Sequence, residues 1–246
     1  MLAIIGGSGL TQLSNLEVTH RRAVRTPYGE PSGALTFGTL RGAEVVFLAR
    51  HGYGHTIPPH EVNYRANLWA LKSEGASEIV SVASVGGIRP DLGPGTMAVP
   101  DQILDYTWGR RSTYFEGGDV AVKHVDFTEP YSEPLRGKLL AAAAAASEPV
   151  FDGGVYATTQ GPRLETTAEI DRLERDGADM VGMTGMPEAA LAREIDLPYA
   201  TLAVVVNHAA GRGESARAIP FETIERMLHE TLARARRIIE QLAIAG

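Results

Sequence analysis

The chain has 246 residues, 44% apolar and 22% charged, which is ordinary for a soluble globular protein with one sizeable core. Its formal charge of −7 without a basic block argues against nucleic acid as a partner, and no apolar run is long enough to cross a membrane. The absence of cysteine excludes disulfides and thiolate metal sites, and an apolar strand directly after Met1 predicts no signal peptide and a cytoplasmic location.

The chain opens with a strand and a glycine-rich turn. Residues 2–5 predict a buried strand, and Gly6-Gly7-Ser8-Gly9 follow it. These glycines allow a ligand to approach the backbone and Ser8 can donate a hydrogen bond, but a plain tight turn fits equally well. The glycines do not form the G-x-G-x-x-G pattern of dinucleotide-binding proteins. Residues 34–40 and 43–49 then predict a β-hairpin.

Three histidines and one arginine fall within residues 50–60, directly after the hairpin. A solvated loop is one interpretation. A zinc site is another, although no HExxH or carboxylate pattern supports it. Arg50 indicates a third, because its planar guanidinium matches the oxygens of a phosphate group.

The middle of the chain alternates strands with helices. A strand ending near Val82 opens into Ala83 and Ser84, and residues 109–134 predict a long irregular segment of the kind that is functional or covered by a partner. The predicted elements are a helix at 63–74, strands at 78–82, 96–99 and 102–105, and a helix at 135–147.

The last part of the chain continues the alternation. Thr166 and Glu169 form a possible capping box, and Glu165 is predicted at the very start of that helix, where a carboxylate complements the helix dipole or serves a site. The predicted elements are a strand at 155–159, a helix at 165–176, a strand at 178–182, a helix at 187–195, a strand at 199–206 and a helix at 221–243.

Residues 178–208 form the most informative unit, a strand, turn, helix and strand in succession. Thr184 lies in the turn before the helix, and Asn207 follows an apolar run typical of a strand buried on both faces. Ligands of open α/β sheets bind at the carboxyl ends of the strands. A hydroxyl at a helix start suits an anion, and an amide suits a planar polar ring. We expect one α/β domain over residues 1–246, with a mixed twisted sheet flanked by helices.

Five blocks of the sequence are long or specific enough to compare with known families: GGSGL, RHGYGHTIPPHEVNYRANLWALK, VPDQILDYT, GPRLETTAEI and GADMVGMTGMPEAALARE. They resemble the trimeric purine nucleoside phosphorylase superfamily, most closely its methylthioadenosine phosphorylase branch. The resemblance covers nearly the full length. It implies cleavage of the glycosidic bond of a purine nucleoside by inorganic phosphate as co-substrate, with no metal and no organic cofactor.

The resemblance also implies roles for individual residues. Those implied to bind phosphate are Ser8, Arg50, His51, Ala83, Ser84 and Thr184. Those implied to bind the nucleoside are Leu164, Glu165, Met183, Asn207, Ala209, Ile219 and Phe221. Asn207, Thr184 and His51 are the implied catalytic residues, and His124 is implied to reach the pocket of a neighbouring subunit in a homotrimer. Relatives often place Thr or Asn near Ala83, which leaves only backbone N–H groups for a contact there.

Two positions depart from the methylthioadenosine branch. That branch places Asp where this chain has Asn207 and Ala209. A 6-oxopurine offers an acceptor that an amide N–H can meet, and the Glu165 carboxylate can accept the proton on the adjacent ring nitrogen. Ile219 and Phe221 suit an apolar methylthio group.

The combination predicts phosphorolysis of S-methyl-5′-thioinosine. The alternatives within the class are an inosine and guanosine phosphorylase and a methylthioadenosine phosphorylase that tolerates Asn207. A nucleoside-binding protein without turnover is the alternative from another class. A Rossmann-type dehydrogenase is disfavoured because the glycine fingerprint and the acidic residue that accompanies it are both missing.

Overall fold

The computed structural model describes residues 1–219 and 221–245, except the side chains of Phe221 and Thr223. In that part of the chain one sheet contains eleven strands: β1 Leu2–Gly6, β2 Glu17–Arg22, β3 Leu35–Leu40, β4 Ala43–Ala49, β5 Glu78–Gly87, β6 Met97–Val99, β7 Gln102–Tyr106, β8 Phe151–Asp152, β9 Val155–Thr159, β10 Met180–Gly182 and β11 Tyr199–His208. The α-helices are α1 Tyr64–Ser73, α2 Glu133–Ala145, α3 Thr167–Arg175, α4 Gly185–Glu194 and α5 Phe221–Ala245.

The sheet is mixed and centred on β5. Its main path has the order β2-β3-β4-β1-β5-β10-β9-β7, and β11 joins β5 and carries β6 and β8 beyond it. The strands β1, β4, β5 and β11 run parallel, so their carboxyl ends lie along one edge of the sheet. The β3–β4 hairpin and the β10–β5 pair are antiparallel. The predicted α/β fold with a mixed sheet between helices is therefore confirmed.

Helices cover both faces of the central strands. Ile4 and Val80 pack with residues of α2 and α5 on one face, whereas their neighbours Ile5 and Ile79 pack with α1 and α4 on the other. Both faces are apolar, which explains the nearly continuous apolar run of β11. None of the described helices combines the length and the apolar character needed to span a membrane.

Several boundaries differ from the prediction. β2 was not predicted because all six of its residues are exposed and carry no apolar alternation. β5 and β11 continue beyond their predicted ends to Gly87 and His208. α3 begins at Thr167 rather than at Glu165, because Thr166 takes the extended N-cap conformation and forms the predicted capping box with Glu169. Glu165 therefore lies outside the helix.

We expect Thr166→Ala to lower the free energy of unfolding by about 1 kcal/mol, because it removes the acceptor for the backbone N–H of Glu169. Thr166→Ser retains the hydroxyl and is the matched control. Urea unfolding followed by circular dichroism measures both variants. Equal loss in the two would show that the capping hydrogen bond is not the cause.

Candidate functional site

The site lies where one edge of β5 has no neighbouring strand. β1 pairs with β5 as far as Ile5 opposite Ser81, and β10 pairs with the same edge from Val181 opposite Gly86. Residues 82–85 of β5 lie between these pairings. Because β10 is antiparallel to β5, the carboxyl ends of β1 and β10 point toward each other across this gap. The segments that follow the two strands therefore converge there.

A cavity of about 630 Å³ occupies this position. Its volume lies within the usual range for a small-molecule site. Eleven of the residues implied by the resemblance line it: Ser8, Arg50, His51, Ser84, Leu164, Glu165, Met183, Thr184, Asn207, Ala209 and Ile219. Segments distant in sequence thus contribute to one concave surface.

Two of the implied residues do not line this cavity, and the third remaining one has a side chain outside the described part of the chain. The side chain of Ala83 is buried in a core cluster. His124 is exposed and lies in the irregular segment between β7 and α2. The side chain of Phe221 falls outside the part of the chain that the structure describes.

Arg50 lies at one end of the cavity and forms a bidentate ion pair with Glu188. Its Nε and Nη2 atoms donate to the two carboxylate oxygens of Glu188 at 2.7 and 2.8 Å, and both side chains are almost completely buried. Nη2 also donates to the hydroxyl of Ser81. Burial alone would lower the pKa of Arg50, but the paired carboxylate outweighs it and raises that pKa above its ordinary value.

The ion pair leaves Nη1 as the part of the guanidinium nearest the glycine turn. Nη1 donates to the carbonyl of Val82 at 3.3 Å. A Cβ atom added to Gly7 would lie 3.1 Å from Nη1 and 2.6 Å from that carbonyl oxygen. Glycine at this position therefore allows the turn to lie directly against Arg50. The planar fork itself faces Glu188 rather than the cavity.

His51 is neutral and its tautomer follows from its hydrogen bond. Nδ1 lies 2.8 Å from the carbonyl oxygen of Ile57, and because a carbonyl only accepts, Nδ1 carries the proton. Burial, together with the positive charge of Arg50, lowers the pKa of His51 to about 4. At neutral pH, Nε2 is therefore an acceptor.

The turn after β10 carries Met183 and Thr184. Thr184 is the N-cap of α4, but its hydroxyl makes no capping hydrogen bond and so can serve a ligand. Nη1 of Arg110 donates to the carbonyls of Met183 and Met186 at 2.8 and 2.6 Å. Arg110 lies in the segment between β7 and α2 that was predicted to be irregular. It fixes the turn from outside the cavity.

The other end of the cavity carries Glu165 and Asn207. In the sheet register Asn207 lies beside Gly86, four residues along β5 from Val82, which corresponds to about 13 Å. One N–H of the Asn207 amide donates to the carbonyl of His208 at 2.6 Å. The other N–H and Oδ1 make no hydrogen bond within the described part of the chain. This end therefore offers both a donor and an acceptor.

Glu165 is held by the hydroxyl of Thr159, which donates to its Oε1 at 2.6 Å. Burial raises the pKa of Glu165, although this hydrogen bond opposes the shift. The carboxylate can accept a ring N–H once it is ionised.

Two residues that position the site were not identified from the sequence. Glu188 was taken only as part of a helix start, and Arg110 only as part of an irregular loop. The one feature of the sequence that could have indicated Glu188 is its position as a carboxylate among the apolar residues of α4. In the structure, eight of the ten residues of this helix are buried. Among residues 1–219 and 221–245, no group of three or more His, Asp or Glu side chains is placed to hold a metal ion.

The model of the phosphorylase superfamily matches residues 1–243 of this chain. The chain belongs to this superfamily. A probable S-methyl-5′-thioinosine phosphorylase of Pseudomonas syringae pv. tomato is 54% identical over 99% of the chain and 98% of its own length. A 6-oxopurine nucleoside phosphorylase of Pyrococcus furiosus is 46% identical over 85% of the chain and 80% of its own length.

A solved superfamily structure shares the fold across the whole chain. The methylthioadenosine phosphorylase of Schistosoma mansoni, in complex with adenine, superposes with a TM-score of 0.93 at 33% identity. The match covers 99% of this chain and 91% of the other.

We expect Glu188→Leu to destabilise the protein by about 3–5 kcal/mol, because it leaves the buried charge of Arg50 without a partner. The double variant Arg50→Met/Glu188→Leu should be less destabilised than Glu188→Leu alone, since it removes both charges. Urea unfolding of the two variants and the wild type measures this. A double variant less stable than Glu188→Leu would contradict the expectation.

Proposed function

We propose that this phosphorylase-superfamily protein cleaves S-methyl-5′-thioinosine with inorganic phosphate, releasing hypoxanthine and 5-methylthioribose 1-phosphate. The observation that carries the proposal is that Glu165, Asn207 and Ala209 all line the same cavity. The amide N–H of Asn207 suits the 6-oxo group, and the Glu165 carboxylate suits the proton on the adjacent ring nitrogen. Adenine presents a lone pair to Glu165 and is disfavoured.

The proposed chemistry depends on placement of charge rather than on a covalent nucleophile. Phosphorolysis passes through an oxocarbenium-like ribosyl group between the departing purine and the incoming phosphate. Ser8, Arg50 and Thr184 would hold phosphate beneath the sugar, with His51 and the β5 backbone near Ser84 completing that side. Asn207 would stabilise the negative charge that develops on the purine.

The sugar side of the cavity favours a methylthio group over a 5′-hydroxyl. Ile219, Ile224 and Leu228 line the cavity and are apolar. Met183 is soft and apolar and would pack against the ribose. The difference between a methylthio group and a 5′-hydroxyl in an apolar pocket contributes only about 1–3 kcal/mol to substrate discrimination. Inosine and guanosine phosphorolysis is therefore the second candidate, and inosine should remain a poorer substrate. The relative named a 6-oxopurine nucleoside phosphorylase favours the same second candidate.

The deciding experiment measures hypoxanthine release from S-methyl-5′-thioinosine with and without phosphate. We expect release only with phosphate, accompanied by 5-methylthioribose 1-phosphate. Equal release without phosphate would make the protein a hydrolase. Binding of the nucleoside with no release under either condition would make it a nucleoside-binding protein.

We expect kcat/KM for S-methyl-5′-thioinosine to exceed that for methylthioadenosine by about 10⁴, the discrimination typical of a site built from hydrogen bonds. Asn207→Asp should lower turnover of the 6-oxopurine, because a carboxylate cannot donate to the carbonyl oxygen. Binding of the 6-oxopurine requires the ionised form of Glu165, and burial raises the pKa of this carboxyl. On acidification, binding should therefore weaken at a higher pH than it would with a carboxyl of ordinary pKa. Equal cleavage of the two nucleosides by the wild type would refute the argument from Glu165 and Asn207.

We also propose a homotrimer in which His124 completes the site of a neighbouring subunit. Its segment exposes the large apolar side chains of Trp108, Val120 and Val122 to solvent in the single chain, which suits burial against a second copy. His124→Ala should lower kcat/KM at least tenfold, whereas the exposed His229→Ala on α5 is the control and should not. Light scattering gives the assembly. A fully active monomer would exclude the proposal.

A further inference from the structure

Three segments of the cavity wall meet at Gly161. They are the segment after β9, to which Gly161 belongs, the turn after β10 and the loop after β4. A Cβ atom added to Gly161 would clash with the Met183 side chain and lie 3.2 Å from Cγ of Pro59. Met183 and Pro59 line the cavity, as does Glu165 a little further along the same segment as Gly161. The spacing of the three segments therefore sets the shape of the cavity.

Arg110 donates hydrogen bonds directly to two of these segments. Nη2 donates to the carbonyls of Thr159 and Gln160 at 3.2 and 2.9 Å, where β9 ends. Nη1 donates to the carbonyls of Met183 and Met186 at 2.8 and 2.6 Å, in the turn after β10 and at the start of α4. A planar guanidinium with five N–H groups can bridge two segments in this way.

The third segment is reached through Tyr64, at the start of α1. The hydroxyl of this buried side chain accepts a hydrogen bond from Nη1 of Arg110 at 3.2 Å. The same hydroxyl donates to the carbonyl of Pro59 at 2.8 Å. Arg110 thus connects the loop after β4 with the other two segments.

The end of β9 is the fixed side of this arrangement. β9 pairs with β10 along one edge and with β7 along the other, as far as Thr159. The turn at Met183 and the loop at Pro59 follow the ends of their strands, and Arg110 holds both against β9. Arg110 is not among the described residues that line the cavity, so it acts through the segments that it connects.

We propose that Arg110 is a positioning residue for phosphorolysis, which holds the side of the cavity formed by Met183 and Pro59 at a fixed spacing from the side that carries Glu165. The inference rests on the proposed function, because it takes as ligand a nucleoside that spans both sides. A nucleoside needs the correct spacing while its glycosidic bond breaks, whereas a free purine occupies the base side only. Loss of Arg110 should therefore impair turnover more than binding of the base.

The test compares Arg110→Ala with Arg111→Ala. Arg111 is the matched control, since it is the next residue of the same segment and its exposed side chain pairs with Glu116 at the surface. Arg110→Ala should lower kcat for S-methyl-5′-thioinosine at least about 100-fold, the effect expected of a misplacement of about 1 Å. The dissociation constant of hypoxanthine, measured by calorimetry, should change less than about threefold. Arg111→Ala should leave both quantities within about threefold of the wild type.

Chemical rescue distinguishes positioning from a general loss of stability. Guanidinium has the shape and the donors of the group that Arg110→Ala removes, so millimolar guanidinium should raise kcat of this variant at least about tenfold. Urea is planar but neutral and is the control, which should raise kcat much less. Both compounds favour unfolding, so a variant that is only destabilised gains activity from neither. Arg110→Lys should remain impaired, because one ammonium group cannot reach acceptors on three segments.

The outcomes separate this inference from the proposed function. A wild-type protein without phosphate-dependent release would overturn the proposed function and this inference with it. If the wild type is active, the inference alone is overturned by an Arg110→Ala variant with wild-type kcat, by an equal loss of kcat and hypoxanthine binding, or by the absence of rescue. If circular dichroism shows that Arg110→Ala does not fold, Arg110→Lys decides, and wild-type kcat in that variant contradicts the inference.

Discussion

Arg50 and Glu188 are 138 residues apart in the chain and meet where neither side chain reaches water. A buried charge is tolerable only when its partner and its remaining hydrogen bonds are all supplied. Here β4 leads into Arg50, α4 carries Glu188, and Ser81 of β5 and Tyr199 of β11 complete the network. These four elements are thus connected through one pair of charges.

The gap along β5 is the second constraint. A strand edge without a neighbour leaves backbone groups that need other partners when they are buried. The Val82 carbonyl obtains one from Arg50, and the small residues beside it leave room for a ligand. The same interruption that creates a cavity in the sheet therefore also supplies polar backbone groups to its wall.

Both ends of the cavity present hydrogen-bonding groups that other contacts hold in place. At one end an ion pair cancels the charge of the single arginine, and the cavity is also lined by the amide of Asn207 and the carboxylate of Glu165. Further hydrogen bonds fix some of these donors and acceptors, as His51 is fixed by Ile57 and Glu165 by Thr159. Groups held in this way cannot rotate freely to suit a mismatched ligand. This rigidity is what gives such a site its selectivity.

The sequence by itself determined much of the fold. Apolar runs and turn residues predicted the β3–β4 hairpin, the helices and the buried strand β11, because these depend on local periodicity. The capping box of Thr166 and Glu169 could be predicted for the same reason, because its two residues are three positions apart in the chain. β2 escaped prediction because an exposed edge strand needs no apolar alternation. Residue chemistry at the ends of strands indicated some of the site residues, and the resemblance supplied the full set and their roles; eleven of them line one cavity.

Tertiary structure alone decided how those residues are presented. No local pattern shows that Glu188 takes the fork of Arg50, that Ile57 sets the tautomer of His51, or that Arg110 holds the turn at Met183. The contacts of Glu188 and Arg110 join side chains to groups whose positions depend on how separate elements pack, whereas the contact of His51 depends on the conformation of the loop that follows β4. The residue types could be read from the chain, but their free donors and acceptors exist only after folding has assigned the other hydrogen bonds.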